Sequence, residues 1–324
     1  MEYRTLPGTE IKLSTLCFGP TRTAGPEPGD DPRTREGIKA FNLALDAGIN
    51  CVHSSHEYRL GSMAMMSSVL QSHPKRHDIH HIVKVPVPDF GDDDIFAETR
   101  FRRCIEDALR LFHAERVSVV QYMWRSTPNT DERRIPMLPM IIDQVLAAYE
   151  KMRDEGKVGA LMTFPYTAAA GQLALETGKF RGLLAYSNPM NTEMLELLPE
   201  MARRDMAFVA IRPFYEGLLT DMRQTPDHLA AEDRLRGYDT TELFRQRSAI
   251  ANTFAKEIDG SMTRFALRFS LYSPVTATVI VGLNTEKQVH DAVEMAGHVP
   301  PQPEVIERAV KLAKSGYRAD AVAI

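Results

Sequence analysis

The stretch "IIDQVLAAYEKMRDEGKVGALMTF", residues 141–164, joins two patterns. Residues 141–157 carry apolar side chains at helical spacing and stop at Gly156, where a helix would end. Residues 158–164 are a short apolar run of strand length. The same junction of helix and strand recurs along the chain. The candidate strands are "TLCFG" (15–19), "INCVH" (49–53), "HHIVKV" (80–85), "VSVVQYM" (117–123), "VGALMTF" (158–164), "GLLAYS" (182–187), "AFVAIRP" (207–213) and "ATVIVG" (277–282). Helical patterns separate them, as in "TREGIKAFNLALDAG" (34–48), which stops at Gly48, and "IFAETRFRRCIEDALRLF" (95–112). Short apolar strands alternating with helices are the mark of parallel βα units. Eight such units in 324 residues predict one (β/α)8 TIM barrel over 1–324, not an open sheet. "YRTLPGTEIKLS" (3–14) turns at Pro7-Gly8 between two extended runs and predicts a β-hairpin ahead of the barrel.

The bulk properties narrow the function. Apolar residues make up 44% and charged residues 25%, as in an ordinary soluble protein. A net charge of −4 offers no basic surface for nucleic acid or anionic membrane. No run approaches the ~20 apolar residues of a membrane span. The opening "MEYRTLPGTE" is polar from its second residue, so no signal peptide is expected. Three scattered cysteines, Cys17, Cys51 and Cys104, suit a reducing cytoplasm and not a disulfide framework. The expected partner is a small-molecule substrate, with the oligomeric state open. Residues 23–34, rich in Pro, Gly and Asp, read as a surface loop, and the charged segment 221–238 as a long loop or lid.

In a barrel of this type the chemistry sits at the C-terminal ends of the strands. One such end, "CVHSSHEY" (51–58), holds two histidines three residues apart. A metal site, an acid–base centre and a core strand all fit that composition. Side chains three apart on a strand point to opposite faces, and no further Cys or His lies nearby, so no metal is expected.

The strand ends resemble the aldo-keto reductase superfamily nearly end to end. "YRTLPGTEIKLSTLCFG", "LALDAGIN", "IEDALRLFHAERVSVVQ", "EKMRDEGKVGALM", "AFVAIRPFYEGLLT" and "RFALRFSLYSPVTATVIVGLNTEKQV" carry the likeness. It implies an NADP(H)-dependent carbonyl reductase with an Asp, Tyr, Lys, His proton-relay tetrad. Through the resemblance, Tyr58 takes the proton-donating Tyr position and Lys84 the Lys position that lowers the phenol's pKa. His53 stands at the Asp position, and Met123, or Trp124 in a shifted register, at the His position. His56, Met123, Trp124 and Arg125 are the implied substrate pocket. The implied cofactor contacts are Phe164, Leu184, Arg212, Pro213, Phe214, Gly217, Leu219, Gly282, Asn284 and Gln288. Several depart from the family pattern. Phe164-Pro165 replaces a Ser-Asn, Leu184 a Gln, Leu283-Asn284 a basic residue, and Ala292 an Asn.

The substitutions leave three readings. The first is hydride transfer between NADP(H) and a small carbonyl or alcohol, with NAD(H) or no cofactor as variants. The second is a non-redox lyase, isomerase or dehydratase using Lys84, Tyr58 and His53. The third is a non-catalytic ligand-binding relative. For the second, Lys84 without its carboxylate is expected to lose its charge easily, or His53 to titrate near neutrality as the acid–base group.

Overall fold

The structure is a computed structural model that describes residues 1–55, 57–87, 96–123, 130–231 and 233–318. A two-stranded antiparallel hairpin, β1 (Tyr3–Thr5) and β2 (Lys12–Ser14), precedes eight parallel strands. These are β3 (Leu16–Gly19), β4 (Cys51–Ser55), β5 (His80–Pro86), β6 (Val117–Met123), β7 (Val158–Thr163), β8 (Gly182–Tyr186), β9 (Ala207–Ile211) and β10 (Thr276–Gly282). They neighbour one another in chain order, and β10 closes on β3 with Val279 opposite Leu16. The expected strands are therefore present, with ends shifted by one or two residues.

Both faces of these strands are buried, which is why their sequences run apolar without alternation. One face fills the barrel with Cys17, Cys51, Ile82, Val119, Met162 and Val209, among others. The other face, with Phe18, Val52, Val83, Val120 and Phe208, packs under the helices. Leu6, Ile11 and Leu13 of the hairpin join the interior cluster and cap the N-terminal end.

The outer helices that bear on the site are α1 (Pro32–Asp46), α2 (Leu60–Ser72), α3 (Glu98–Leu111), α4 (Asp131–Asp154) and α5 (Ala168–Thr177). Gly156 follows α4 with φ 77°, the left-handed stop that its position suggested. The helix begins ten residues before the apolar pattern at Ile141, and it runs through Pro136 and Pro139. Proline removes a helical N–H, so sequence alone favours a later start. Here a buried Asp131–Arg134 pair anchors the first turn to the end of β7. Tertiary contact overrides local propensity.

Segment 221–238 is a loop with two short 3-10 turns, Pro226–His228 and Arg234–Gly237, and it is pinned down. Asp221 accepts from the backbone N–H of Met262 at 2.6 Å and from the hydroxyls of Ser261 and Thr263. Arg223 pairs with Asp233 at 2.7 Å, and Leu229 and Leu235 are buried. Of the long loop or lid expected from composition, the structure shows a loop, tethered by Asp221 and by the Arg223–Asp233 pair. No described helix is long and apolar enough to cross a membrane.

Candidate active site

Strand parity decides which side chains enter the barrel, because residues two apart share a face. Cys51 points inward on β4, so His53 does too. Ile82 sends Lys84 inward on β5, and Val119 sends Gln121 inward on β6. The register sets Ser55 opposite Lys84 and Lys84 opposite Gln121. These groups collect near the C-terminal mouth.

His53 is buried and held on both ring nitrogens. Its Nε2 lies 2.7 Å from Gln121 Oε1, and its Nδ1 lies 2.7 Å from the Tyr58 hydroxyl. Gln121 in turn donates from Nε2 to Met123 Sδ at 3.5 Å. An amide oxygen only accepts, so Nε2 of His53 carries the proton. Nδ1 is then the acceptor, and the Tyr58 O–H donates to it. Tyr58 is half-buried in the loop after β4, its backbone N–H donating to the Ser55 carbonyl at 3.0 Å. Burial pushes its phenol above the ordinary tyrosine range, opposed by a hydrogen bond with the Thr21 hydroxyl. Burial, with the Lys84 cation nearby, lowers His53 to about 4, opposed by its bond to Gln121.

Two expectations change here. Lys84 has a carboxylate after all: its ammonium ion-pairs with Glu57, one residue before Tyr58. That counter-charge stands on the loop after β4, not on the strand itself. His53 does not titrate near neutrality, because burial keeps the imidazole neutral. Gln121 was missed. Its signal was parity, since it is the inward residue of β6 between Val119 and Met123. Met123 is itself buried in the interior cluster, with its carbonyl accepting from the Val87 N–H at 2.9 Å. His56, Trp124 and Arg125 lie outside the described residues. Among the described residues no group of three or more His, Cys, Asp or Glu could hold a metal.

The ends of β7, β8 and β9 form a second arc. Phe164 meets Tyr166 edge-on at 4.9 Å and Tyr186 at 5.3 Å between ring centroids. Arg134 lies over Tyr166 at 5.2 Å and donates to the Phe164 carbonyl at 2.9 Å. Arg212 lies between Tyr186 and Tyr215, at 4.7 and 4.9 Å. Leu184 is buried on β8.

Beyond β9, Arg212, Tyr215, Glu216 and Gly217 all have positive φ, from 44° to 87°. Three of the four are not glycine, so the surrounding structure holds a strained backbone. Asn188 donates to the Arg212 carbonyl, Arg223 to that of Glu216 and Arg247 to that of Leu218. Pro213, Leu218 and Leu219 are buried, while Phe214 is half-buried beside the core. The Glu216 carboxylate gathers Arg212 at 3.3 Å, Arg234 at 3.5 Å and Arg22 at 3.9 Å. At the end of β10, Gly282 is exposed. Past it, the Asn284 N–H donates to the Gln288 side chain at 2.8 Å, and Thr285 caps helix α6 (Glu286–Ala296).

These groups suit one end of a nicotinamide dinucleotide better than the other. Arg22, Arg212 and Arg234 offer cations for phosphates, and Arg212 Nε is buried with no hydrogen-bond partner. Exposed Gly282 leaves open space where a Cβ would stand. Phe164 and Leu184 offer only carbon to a carboxamide.

The Aldo/keto reductase family profile matches residues 15–314. L-galactose dehydrogenase of Arabidopsis thaliana is 22% identical over 305 residues, covering 90% of this chain and 87% of that protein. A glycerol dehydrogenase from Gluconobacter oxydans superposes with a TM-score of 0.74 at 22% identity, covering 96% of this chain and 95% of its own. An aldo-keto reductase from Bacillus halodurans in its holo form gives 0.73 at 20% identity, covering 100% of both chains.

Proposed function

We propose that this chain, which belongs to the aldo/keto reductase family, is an oxidoreductase that interconverts a small hydroxyl-bearing substrate and its carbonyl with NADP(H). The observation that carries this reading is the Tyr58 hydroxyl, set at the barrel mouth and hydrogen-bonded to His53. A positioned phenol next to an imidazole can hold or move a proton at a substrate oxygen. Lys84 and Glu57 place a paired charge beside it. Two relatives are named for dehydrogenating L-galactose and glycerol, which supports small polyols and sugars as the first substrates to try.

The dinucleotide would be held by Arg212 and the strained 212–217 loop after β9, with Gly282, Asn284 and Gln288 at the end of the neighbouring strand β10. It supplies hydride acceptance or donation when bound. The chain orients the substrate oxygen and handles its proton. NADP(H) is tried before NAD(H) because three arginines share the one carboxylate of Glu216, which leaves net positive charge at this part of the mouth. Three free cysteines suit a reducing cytoplasm.

One observation favours a non-redox reading: Phe164 and Leu184 leave a nicotinamide amide without side-chain hydrogen bonds. The experiment is a turnover panel of polyols, aldoses and simple aldehydes with each dinucleotide. Dinucleotide-linked turnover lost in Tyr58→Phe supports the oxidoreductase. Substrate conversion with no change in the dinucleotide would establish the non-redox enzyme instead.

A further inference from the structure

We infer that His53, locked in one tautomer by Gln121, is the proton acceptor behind Tyr58, so that the proton of a substrate alcohol leaves along Tyr58 to His53. The inference rests on the alcohol–carbonyl reading of the site. It follows from the direction of the hydrogen bonds. Gln121 Oε1 takes the Nε2 proton of His53, leaving the Nδ1 lone pair 2.7 Å from the Tyr58 oxygen. The phenol proton therefore points at His53 and away from the substrate. The Tyr58 oxygen then has lone pairs left for hydroxyl donors: the Thr21 hydroxyl is one, and a substrate alcohol O–H at the mouth would be the other.

The step balances as follows. The alcohol O–H bond breaks and its proton bonds to the Tyr58 oxygen. The Tyr58 O–H bond breaks and its proton bonds to His53 Nδ1. A bound oxidised nicotinamide dinucleotide would supply the acceptor for the carbinol hydrogen and its electron pair as the C=O bond forms. His53 is an imidazolium for that step; once the product leaves, its Nδ1 proton returns to the Tyr58 oxygen as the Tyr58 proton passes to water at the mouth. Carbonyl reduction runs the same transfers in reverse. A ring that is neutral down to about pH 4 is always ready to accept and does not trap the proton.

Tyr58 is the catalytic residue, and Gln121 is a positioning residue acting through His53. Among the described residues, the charged and titratable groups around the pair are Lys84 on β5, Glu57 on the loop after β4, Cys17 on β3 and Tyr186 on β8. Lys84 opposes protonation of His53. A carboxylate in place of Gln121 would favour it.

The test pairs a readout on the free protein with one on turnover. In the ¹⁵N-labelled full chain, imidazole correlation spectra should show His53 as the Nε2–H tautomer, with no titration above about pH 5. In Gln121→Glu the His53 titration should rise by at least about one pH unit. The acid limb of the turnover profile should rise with it. His53→Asn should lower turnover in both directions by about 10²–10³-fold, and His53→Asp, which still accepts from the phenol, should recover part of it. An Nδ1–H tautomer in the wild type overturns the relay outright. A His53 titration that moves while the acid limb stays fixed overturns the relay and leaves the oxidoreductase reading standing. Absence of dinucleotide-linked turnover in the wild type overturns both.

Discussion

In the arc built by β4, β5 and β6, Gln121, His53 and Tyr58 are joined by two hydrogen bonds of 2.7 Å, and Lys84 is paired with Glu57. In the arc built by β7, β8 and β9, Phe164, Tyr166 and Tyr186 meet as rings, with Arg134 and Arg212 stacked at either end. Both arcs crown the same barrel and face the same space. In the first, Gln121, His53, Tyr58 and Lys84 are each hydrogen-bonded or ion-paired. The second gathers aromatic rings with cations at its ends. Buried polar networks tolerate replacement only when each partner is matched, because one orphaned group costs about 1–3 kcal/mol. Aromatic rings tolerate it through shape and quadrupole, without fixed proton positions.

The largest effect should come from breaking the polar arc. Tyr58→Phe removes the phenol and is expected to lower turnover by about 10³–10⁴-fold while dinucleotide affinity, read by calorimetry, stays put. A change of less than tenfold would mean the polar arc is structural only.

The aromatic arc should break through its buried ion pair. Asp131 accepts from the N–H groups of Tyr166 and Thr167 at 2.8 and 2.6 Å, and it pairs with Arg134 at 2.9 Å. Asp131→Ala leaves Arg134 without that partner under Tyr166, and it is expected to cost about 3–5 kcal/mol in chemical denaturation. A loss below ~1 kcal/mol would show that solvent already reaches this pair.

Acid should weaken the polar side selectively. His53 is lowered to about 4 by burial, and so is buried His81, which stacks on Phe112 with ring centroids 5.4 Å apart. The unfolded chain protonates both near pH 6.5, whereas the folded chain resists until about pH 4. The unfolded state therefore binds more protons in that window. Stability is full above about pH 6.5 and falls as pH drops toward 4, by ~3 kcal/mol for each histidine. His81→Phe should flatten the curve of denaturation midpoint against pH by about half. An unchanged slope would mean that carboxylates dominate it.

The smallest effect should come from the rim. Arg212→Met keeps an apolar side chain between Tyr186 and Tyr215 and removes the charge. About tenfold weaker dinucleotide binding is expected, with turnover at saturation unchanged. Equal binding by both proteins would move the phosphates elsewhere on the mouth.

The barrel was legible because doubly buried strands leave continuous apolar runs bounded by glycine, and Gly156 and Gly48 take the left-handed stops that those runs suggested. Tyr58, Lys84 and His53 were singled out through the family resemblance, and the structure brings them to one mouth. Their wiring was not legible. The Lys84–Glu57 pair joins a strand to a loop, and only the backbone path after Ser55 brings the carboxylate round. Gln121 reads as an ordinary strand residue until the parity of β6 turns it inward onto His53. The early start of α4 was hidden because Pro136 and Pro139 argue against a helix, while the anchor that overrides them, Asp131 with Arg134, grips a strand end thirty residues away.

The most direct measurement follows a deuterium atom. The wild-type protein is mixed with carbon-deuterated glycerol or aldose and an oxidised nicotinamide dinucleotide, and the dinucleotide is recovered for mass and proton NMR analysis. Deuterium on the nicotinamide ring, absent when Tyr58→Phe replaces the wild type, is the expected result. Substrate consumed with no deuterium on the dinucleotide would contradict an alcohol–carbonyl centre at Tyr58 and His53.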